Sequence, residues 1–304
     1  MSNILVTGGS GQVGSDIKLL SDNNYFFPSS ADLDIRKKKF IKDFINQNHI
    51  DFILNFAAYT KVDKAEKFKK IANDINFKGA LNLAIEASKN DIGIIHFSTD
   101  YVFGGKKKGI NFTNDKVSPV NHYGLTKSLG EQAVLRNCSL GFIVRLASVY
   151  GQFGDNFIKT MIRLLLTSQE VRVIHDQMIS MTGSEELSNN LPYLIDLYNK
   201  KISDSKKGCR IIHFTNKGYT SWYKVAKIIK SEMEINLDKK LNVKLVPIKS
   251  RDWESLALRP VDSRLKVNFK ELERNKIFLP KWDISIRKFV KKVLPSILSE
   301  LGIK

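Results

Sequence analysis

The chain predicts an α/β fold of the Rossmann type, a doubly wound parallel sheet joined to a smaller C-terminal α/β lobe. Three observations carry that prediction. Short apolar strands alternate with amphipathic helices through the first half of the sequence. A glycine-rich turn separates the first strand from the first helix. Beyond about residue 150 the alternation loosens into longer helices and isolated short strands.

Taken in order, the strands fall near 3–7, 25–28, 52–57, 92–98 and 140–146, each rich in Ile, Val, Leu or Phe. The helices between them fall near 12–22, 37–48, 76–90 and 122–137. In 76–90, Phe77, Ala80, Leu81, Ala84 and Ile85 form an apolar stripe at helical spacing. Strands separated by helices imply right-handed crossovers and therefore parallel pairing. The second half predicts helices near 156–167, 185–199, 220–233 and 285–300, with strands near 171–175, 210–214 and 243–247. Polar segments 104–117 and 201–209 read as surface loops. The expected division is a dinucleotide-binding part, 1–150, and a mainly substrate-binding lobe, 151–304, from which the chain can cross back to the first part.

Bulk properties narrow the class. With 304 residues, 42% hydrophobic and 26% charged, the chain has material for a full core and is not a disordered sequence. No apolar run approaches the roughly 20 residues that a membrane helix needs. The first strand begins almost at Met1, which argues against a signal peptide and predicts a cytoplasmic protein. Two cysteines are too few for a disulfide framework, and five scattered histidines show no zinc-ligand spacing, so no metal site is expected. The net charge of +18 is spread in short clusters such as Arg36–Lys39 and Lys106–Lys108. Without an aromatic stacking platform or a helix-turn-helix signature, it indicates solvated faces and attraction of a small anionic ligand, not a nucleic acid.

The turn Thr7-Gly8-Gly9-Ser10-Gly11-Gln12-Val13-Gly14 meets the demands of a pyrophosphate site: a tight turn, close backbone approach, and free N–H groups at a helix N-terminus. A nicotinamide dinucleotide is therefore expected. The second strand ends in Ser29-Ser30 with no carboxylate in the usual ribose-binding place, which favours NADPH over NADH, although Asp32 or Asp34 stands close enough to reverse the preference.

Tyr123 and Lys127 stand at i and i+4 on a predicted helix and so share a face. Reduction of a ketone needs a hydride and a proton, and a neighbouring cation can bring a phenol, pKa about 10 when free, closer to the working range. Thr99 ends the fourth strand, at the sheet edge where open α/β folds bind ligands, and can donate to a carbonyl oxygen as charge develops there.

These residues resemble the extended short-chain dehydrogenases/reductases and, within them, the dTDP-4-dehydrorhamnose reductase family. The similarity runs through Thr7–Gly14, Asn55–Glu66, Ser98–Phe103, Tyr123–Glu131, Asn156–Met161, Thr220–Tyr223, Leu258–Pro260 and Ser263, nearly the whole chain. The resemblance implies reduction of the 4-keto group of a nucleotide-activated deoxysugar. It implies that Gly11, Gln12 and Val13 line the dinucleotide, that Asp34 and Ile35 flank the adenine, and that Ala57, Ala58 and Tyr59 border the nicotinamide half. Tyr123 and Lys127 would be the catalytic pair, with Thr99, Asp100 and Tyr101 against the sugar. Thr60, Val62 and Asp63 would help form the sugar pocket, and Ser148, Asn156 and Arg259 are assigned to the substrate side with them. A homodimer is compatible with the sequence.

Three departures from the family pattern bear on specificity. Ser148 replaces a tryptophan, Ile179 and Met181 replace a glycine and a proline, and His122 replaces an aliphatic residue. All are expected in or near the sugar pocket, which keeps a different keto-sugar in view. An epimerase on the same scaffold is a further reading. A dehydratase is disfavoured, because the acid that such enzymes carry after Asp100 is here Tyr101. A non-catalytic NADP-binding subunit resembling the regulatory subunit of methionine adenosyltransferase is the third.

Overall fold

The computed structural model describes residues 2–21, 24–104, 109–138, 141–203 and 209–303. Its first half runs β1 (Ile4–Thr7), α1 (Gln12–Leu20), β2 (Tyr25–Phe26), α2 (Lys38–Asn48), β3 (Phe52–Asn55), α3 (Val62–Lys67) and α4 (Lys69–Asn73). A π-helical turn (Asp74–Gly79) leads into α5 (Ala80–Lys89), followed by β4 (Gly93–Thr99), a 3₁₀ turn (Asp100–Val102), α6 (His122–Asn137) and β5 (Gly141–Leu146). The second half contains β6 (Val149–Tyr150), α7 (Phe157–Thr167), β7 (Glu170–Ile174), β8 (Met178–Ile179), β9 (Thr182–Gly183), α8 (Ser184–Asn189) and α9 (Leu191–Ser203). It continues through β10 (Arg210–His213), β11 (Thr220–Ser221), α10 (Trp222–Leu237), β12 (Lys244–Ile248), α11 (Phe269–Arg274) and α12 (Trp282–Glu300).

The main sheet has six strands in the order β10-β5-β4-β3-β1-β2, and every pairing is parallel. The chain passes from β1 outward to β2 and then crosses to β3 on the other side of β1. That reversal opens a crevice beyond the carboxyl ends of β1 and β3, the place where doubly wound sheets bind ligands.

Both faces of the sheet are covered, so its strands are apolar on both sides. Ile4 and Val6 pack with α1, α8 and α9, whereas Leu5 between them packs with α2, α5 and α6. A third cluster joins α7, α10 and α12 around β7 and β8 and forms the core of the second lobe. β10 lies in the main sheet although it comes from the second half of the sequence.

Several elements differ from their expected bounds. β2 stops at Phe26, because Pro28 cannot donate to a ladder. The predicted 185–199 helix is two helices, with Pro192 in the first turn of the second, where its missing N–H costs nothing. Helical structure begins at Val62, well before 76, and the buried side of α5 is Ala80, Leu83, Ala84 and Ala87. Phe77, Leu81 and Ile85 of the expected stripe are only half-buried, because the alanines bring the helix axis close to the sheet and leave the larger side chains on its flanks. Lys106–Lys108, within the predicted 104–117 loop, lie outside the described residues, as do 204–208 of the second predicted loop.

One buried ion pair ties these parts together. Arg145 on β5 and Glu131 on α6 are each about 2% exposed and meet in a two-pronged contact, Nε to Oε1 and Nη2 to Oε2, both 2.8 Å. Arg145 also donates to the Thr113 carbonyl and lies 4.9 Å from the Phe103 ring centroid. Its partner across β10 is His213, pushed down to about 3 by burial and by the guanidinium, so the ring is neutral. His213 Nδ1 faces the Lys266 carbonyl, which leaves Nε2 as the acceptor toward Arg145 at 3.5 Å. Removing one member of such a pair strands the other charge. Glu131→Leu should therefore cost about 3–5 kcal/mol in urea unfolding. The double variant with Arg145→Met should recover much of that loss.

Candidate functional site

The glycine turn after β1 is built by close backbone contacts. Gly8 has φ +74°, and a Cβ on it would come within 2.7 Å of the Ala57 nitrogen. A Cβ on Gly14 would lie 2.5 Å from the Gly8 carbonyl oxygen. Gly11 donates to Gly8 O at 2.9 Å and caps α1 without any side-chain cap bond. The N–H groups of Gln12, Val13 and Gly14 thus begin a helix with no side chain spent on them. This cradle has the shape and the donors that a dinucleotide pyrophosphate needs.

Around it, Phe27 covers Gly9, and Ala57, Ala58 and Tyr59 leave β3 at the opposite wall of the crevice. Asn76, in the π-helical turn, accepts from Tyr59 N at 2.7 Å and donates to Tyr59 O and to Thr126 Oγ1. It therefore clamps the wall to α6. Sequence reasoning missed Asn76, whose only signal is an amide set inside an apolar helical stripe. Ile35 is buried against Gly79, its carbonyl accepts from Asn82 at 3.0 Å, and Asp34 is engaged by Arg36 at 2.8 and 2.9 Å.

Beyond β2, Ser29 and Asp32, two of the residues on which the cofactor preference turns, are bonded to each other. Asp32 accepts from both the backbone N–H and the hydroxyl of Ser29, at 3.2 and 2.7 Å, and these bonds hold its acid below the usual carboxylate range.

Tyr123 and Lys127 do share one face of α6, whose N-cap Asn121 accepts from Gly124 N at 2.8 Å. Asn121 also donates to the Leu258 carbonyl at 2.7 Å, and His122 donates its N–H to Glu66 at 2.7 Å. His122 is therefore an anchor of α6 to α3 and α4. Gly124 and Gly130 let the helix lie close: a Cβ on Gly124 would meet the Tyr101 carbonyl at 2.1 Å, and one on Gly130 the Asn76 carbonyl at 2.4 Å.

The expected lowering of Tyr123 by Lys127 is not found. Lys127 directs its Nζ to the Phe97 carbonyl at 2.6 Å. Burial pushes the Tyr123 phenol up to about 12, against a hydrogen bond with Thr99 that works the other way. Burial also pulls the Lys127 ammonium down to about 8, opposed by Glu131. Near neutrality Tyr123 is a protonated phenol, the form that can give a proton.

Thr99 lies at the end of β4 and sends its hydroxyl proton to Asp100 Oδ1 at 3.1 Å while accepting from Tyr101 N at 3.2 Å. The proton that the sequence assigns to a substrate carbonyl is here engaged by Asp100. Asp100 is 2% exposed and is held by Ser263 as well as Thr99, so its carboxyl faces protein, not open pocket. Tyr101 stands edge-on to Tyr123, ring centroids 5.8 Å apart, and hydrogen-bonds Arg259. Arg259 in turn grips Asp63 of α3, Nη1 to Oδ1 at 3.2 Å and Nη2 to Oδ2 at 2.5 Å. Asp63 also receives Ala257 N at 3.1 Å, so this pair fastens the 250–264 segment over α3.

The remaining predicted positions divide. Val62 begins α3 and is half-buried, and Thr60 is exposed just before it. Asn156 caps α7 and reaches Gln12 Oε1 at 3.3 Å, which places it beside the glycine turn. Ser148 turns the chain between β5 and β6 at φ +42°, a left-handed geometry uncommon for serine. Ile179 and Met181 do not line a sugar pocket. They are 3% and 1% exposed and fill the core of the second lobe.

A six-stranded parallel sheet, the glycine cradle at its switch point and a Tyr-Lys helix at its edge define an extended short-chain dehydrogenase/reductase. More particularly, the chain belongs to the family described as the RmlD substrate binding domain, whose model matches residues 1–294. It is 35% identical over 270 residues to the dTDP-4-dehydrorhamnose reductase of Aggregatibacter actinomycetemcomitans, covering 87% of this chain and 90% of that one. The crystal structure of a dTDP-4-dehydrorhamnose reductase from Clostridium acetobutylicum superposes with a TM-score of 0.85 at 34% identity, covering 96% and 99% of the two chains. That from Bacillus anthracis, in complex with NADP, gives 0.82 at 30% identity, covering 96% and 100%. Among the described residues no helix is long and apolar enough to cross a membrane.

Lys127 supplies a test of the electrostatics. Its pKa is 10.5 when free and about 8 in the fold, so between those values the unfolded chain binds more protons. Stability contributed by this site is therefore lowest below pH about 8 and rises with pH up to 10.5. Lys127→Met should remove that rise and stabilise the ligand-free protein at neutral pH by on the order of 1–3 kcal/mol in urea unfolding.

Proposed function

We propose that this chain reduces the 4-keto group of a nucleotide-activated deoxysugar, as a dTDP-4-dehydrorhamnose reductase does, with a nicotinamide dinucleotide. The observation that carries the reading is the Tyr123 phenol, hydrogen-bonded to Thr99 at the carboxyl edge of the sheet, on the same helix as Lys127. Membership of the family and the named relatives support it.

In this reading Gly8, Gly11, Gln12, Val13 and Gly14 hold the pyrophosphate, Asp34 and Ile35 border the adenine, and Ala57, Ala58 and Tyr59 the nicotinamide half. The bound dinucleotide supplies a hydride to the keto carbon. Tyr123 gives its proton to the keto oxygen, and the raised phenol pKa keeps the phenol protonated at neutral pH. Lys127 binds ribose hydroxyls and, once turned toward them, steadies the phenolate that Tyr123 becomes. Tyr101, with Thr60, Val62 and Ser148, borders the sugar, while the Asp63–Arg259 clasp closes the wall behind it. The enzyme would act in the cytoplasm on a small nucleotide-sugar, as a homodimer that sedimentation equilibrium would register.

One observation favours a second substrate. Ser148 stands where the family pattern has a large aromatic ring, so a related keto-sugar with more bulk on that side is the second reading.

Turnover of dTDP-4-dehydrorhamnose, followed by dinucleotide oxidation, tests the reading. Tyr123→Phe should lower kcat by about 10²–10⁴-fold while leaving dinucleotide affinity within a few fold. Rates that stay near wild type would remove Tyr123 as donor. The preferred dinucleotide is proposed to be NADPH, from Ser29 and Ser30 at the end of β2, with the Asp32 carboxylate opposing it. Asp32→Asn should accordingly raise the NADPH-to-NADH ratio of kcat/KM by about tenfold, the worth of one unfavourable charge contact of about 1.4 kcal/mol.

A further inference from the structure

Asp100 is a fully enclosed carboxyl in the middle of the site, and it touches neither the crevice nor a cation. Its partners are the hydroxyls of Thr99 and Ser263 and the backbone N–H groups of Asp100 and Tyr101. Thr99 in turn meets three groups: Asp100 at 3.1 Å, the Tyr101 N–H at 3.2 Å and the Tyr123 hydroxyl. A hydroxyl has one proton and two lone pairs, so these three contacts use Thr99 completely. The Tyr101 N–H can only donate. An ionised Asp100 can only accept, which commits the Thr99 proton to it. Tyr123 is then left to donate its own proton to Thr99.

Protonating Asp100 reverses this chain. The carboxylic acid donates to Thr99, the Tyr101 N–H fills the second lone pair, and the Thr99 proton points to the Tyr123 oxygen. The phenol proton is then free to project into the crevice, and the phenolate left after it is given away receives a hydrogen bond.

We propose that Asp100 is a positioning residue of the reduction, acting through Thr99 to set whether the Tyr123 proton points inward to protein or outward to substrate. The inference rests on the reading of Tyr123 as proton donor. Nothing is consumed or oxidised in the switch: one proton enters at Asp100 from solvent, and each hydrogen bond of the chain changes direction.

The groups of the surrounding elements are compatible with such a titration. Tyr101 on the same turn is pushed up mainly by burial, with Asp100 adding to it, and stays neutral. Tyr123 on α6 is likewise neutral, and Lys127 on that helix is turned to the Phe97 carbonyl. Arg259 is taken by Asp63 of α3 and Tyr101, and Asp262, beside Ser263, is taken by Arg264 at 2.6 Å. No cation among these is bonded to Asp100, and burial pushes its acid up to about 6, opposed by Ser263 and Thr99.

The test uses two readouts on the full chain. The first is the pH profile of keto-sugar reduction. Wild type should lose kcat as pH rises through about 6, with a limb approaching tenfold per pH unit. Asp100→Asn, whose amide donates to Thr99 as the protonated acid does, should abolish that limb. Thr99→Val should lower kcat far more than it changes KM, and adding Asp100→Asn to it should change nothing further. The second readout needs neither substrate nor dinucleotide: the ultraviolet absorbance of the Tyr123 phenolate, isolated by difference against Tyr123→Phe. Asp100→Asn should move that titration to lower pH. A limb retained in Asp100→Asn, or a phenol titration unmoved by it, overturns the inference. Absence of keto-sugar turnover would instead count against the proposed function, while the phenol titration would still decide the role of Asp100.

Discussion

The buried pair between Arg145 and Glu131 is the constraint on which the site's geometry depends. α6 carries Tyr123 and Lys127 in its first turns, but its grip on the sheet lies further along, where Glu131 meets Arg145 on β5. A charge pair taken from water is seldom a net source of stability. Its value here is in orientation: a guanidinium fork accepts a carboxylate in only one plane, and both ends of this fork are fixed. Arg145 also reaches the Thr113 carbonyl and His213 on β10. A single side chain thus sets α6, the loop after β4 and the last strand of the sheet relative to one another.

Close backbone packing does the rest of the positioning. Gly124 and Gly130 bring α6 against Tyr101 and the Asn76 turn, and Gly14 brings α1 against the glycine turn. Along the underside of this contact runs a polar seam, Thr7 to Asn55 to His96, bonded across three neighbouring strands at 2.7 and 2.8 Å. Asn55 donates to His96 Nδ1 there, and burial together with Lys127 keeps the ring neutral. The seam fixes the carboxyl ends of β1, β3 and β4 at one level, so the glycine turn and Thr99 open onto the same crevice. Strand ends that could slip by one residue would turn Thr99 to the opposite face.

Much of the framework was legible because its causes are local. The first five strands and the helices between them follow from apolar runs and glycine punctuation, and Tyr123 and Lys127 share a face because a helix returns every 3.6 residues. Legibility failed where a contact joins distant segments. The hydrogen bonds of Asn76 span 17 and 50 residues, and those that clasp Asp63 to the 250–264 segment span 194 and 196. Ile179 and Met181 were expected near the sugar because neighbours in the family pattern are. Strand β8 carries Ile179, and the short link from β8 to β9 carries Met181, into the second core instead.

The sequence by itself determined the fold class, the pyrophosphate turn, the order of the strands' chemistry and the family to which the chain belongs, since each is encoded in residue types at fixed short spacings. Tertiary structure alone decided which groups are ionised and where their protons point. Thr99 was identifiable as a strand-end hydroxyl, but its donation to Asp100 exists only because Ser263 and a wall of protein enclose that carboxyl. Lys127 was identifiable as a partner of Tyr123, yet burial, not spacing, sets both of their pKa values. Desolvation depends on everything packed around a group, and no local pattern in the chain records it.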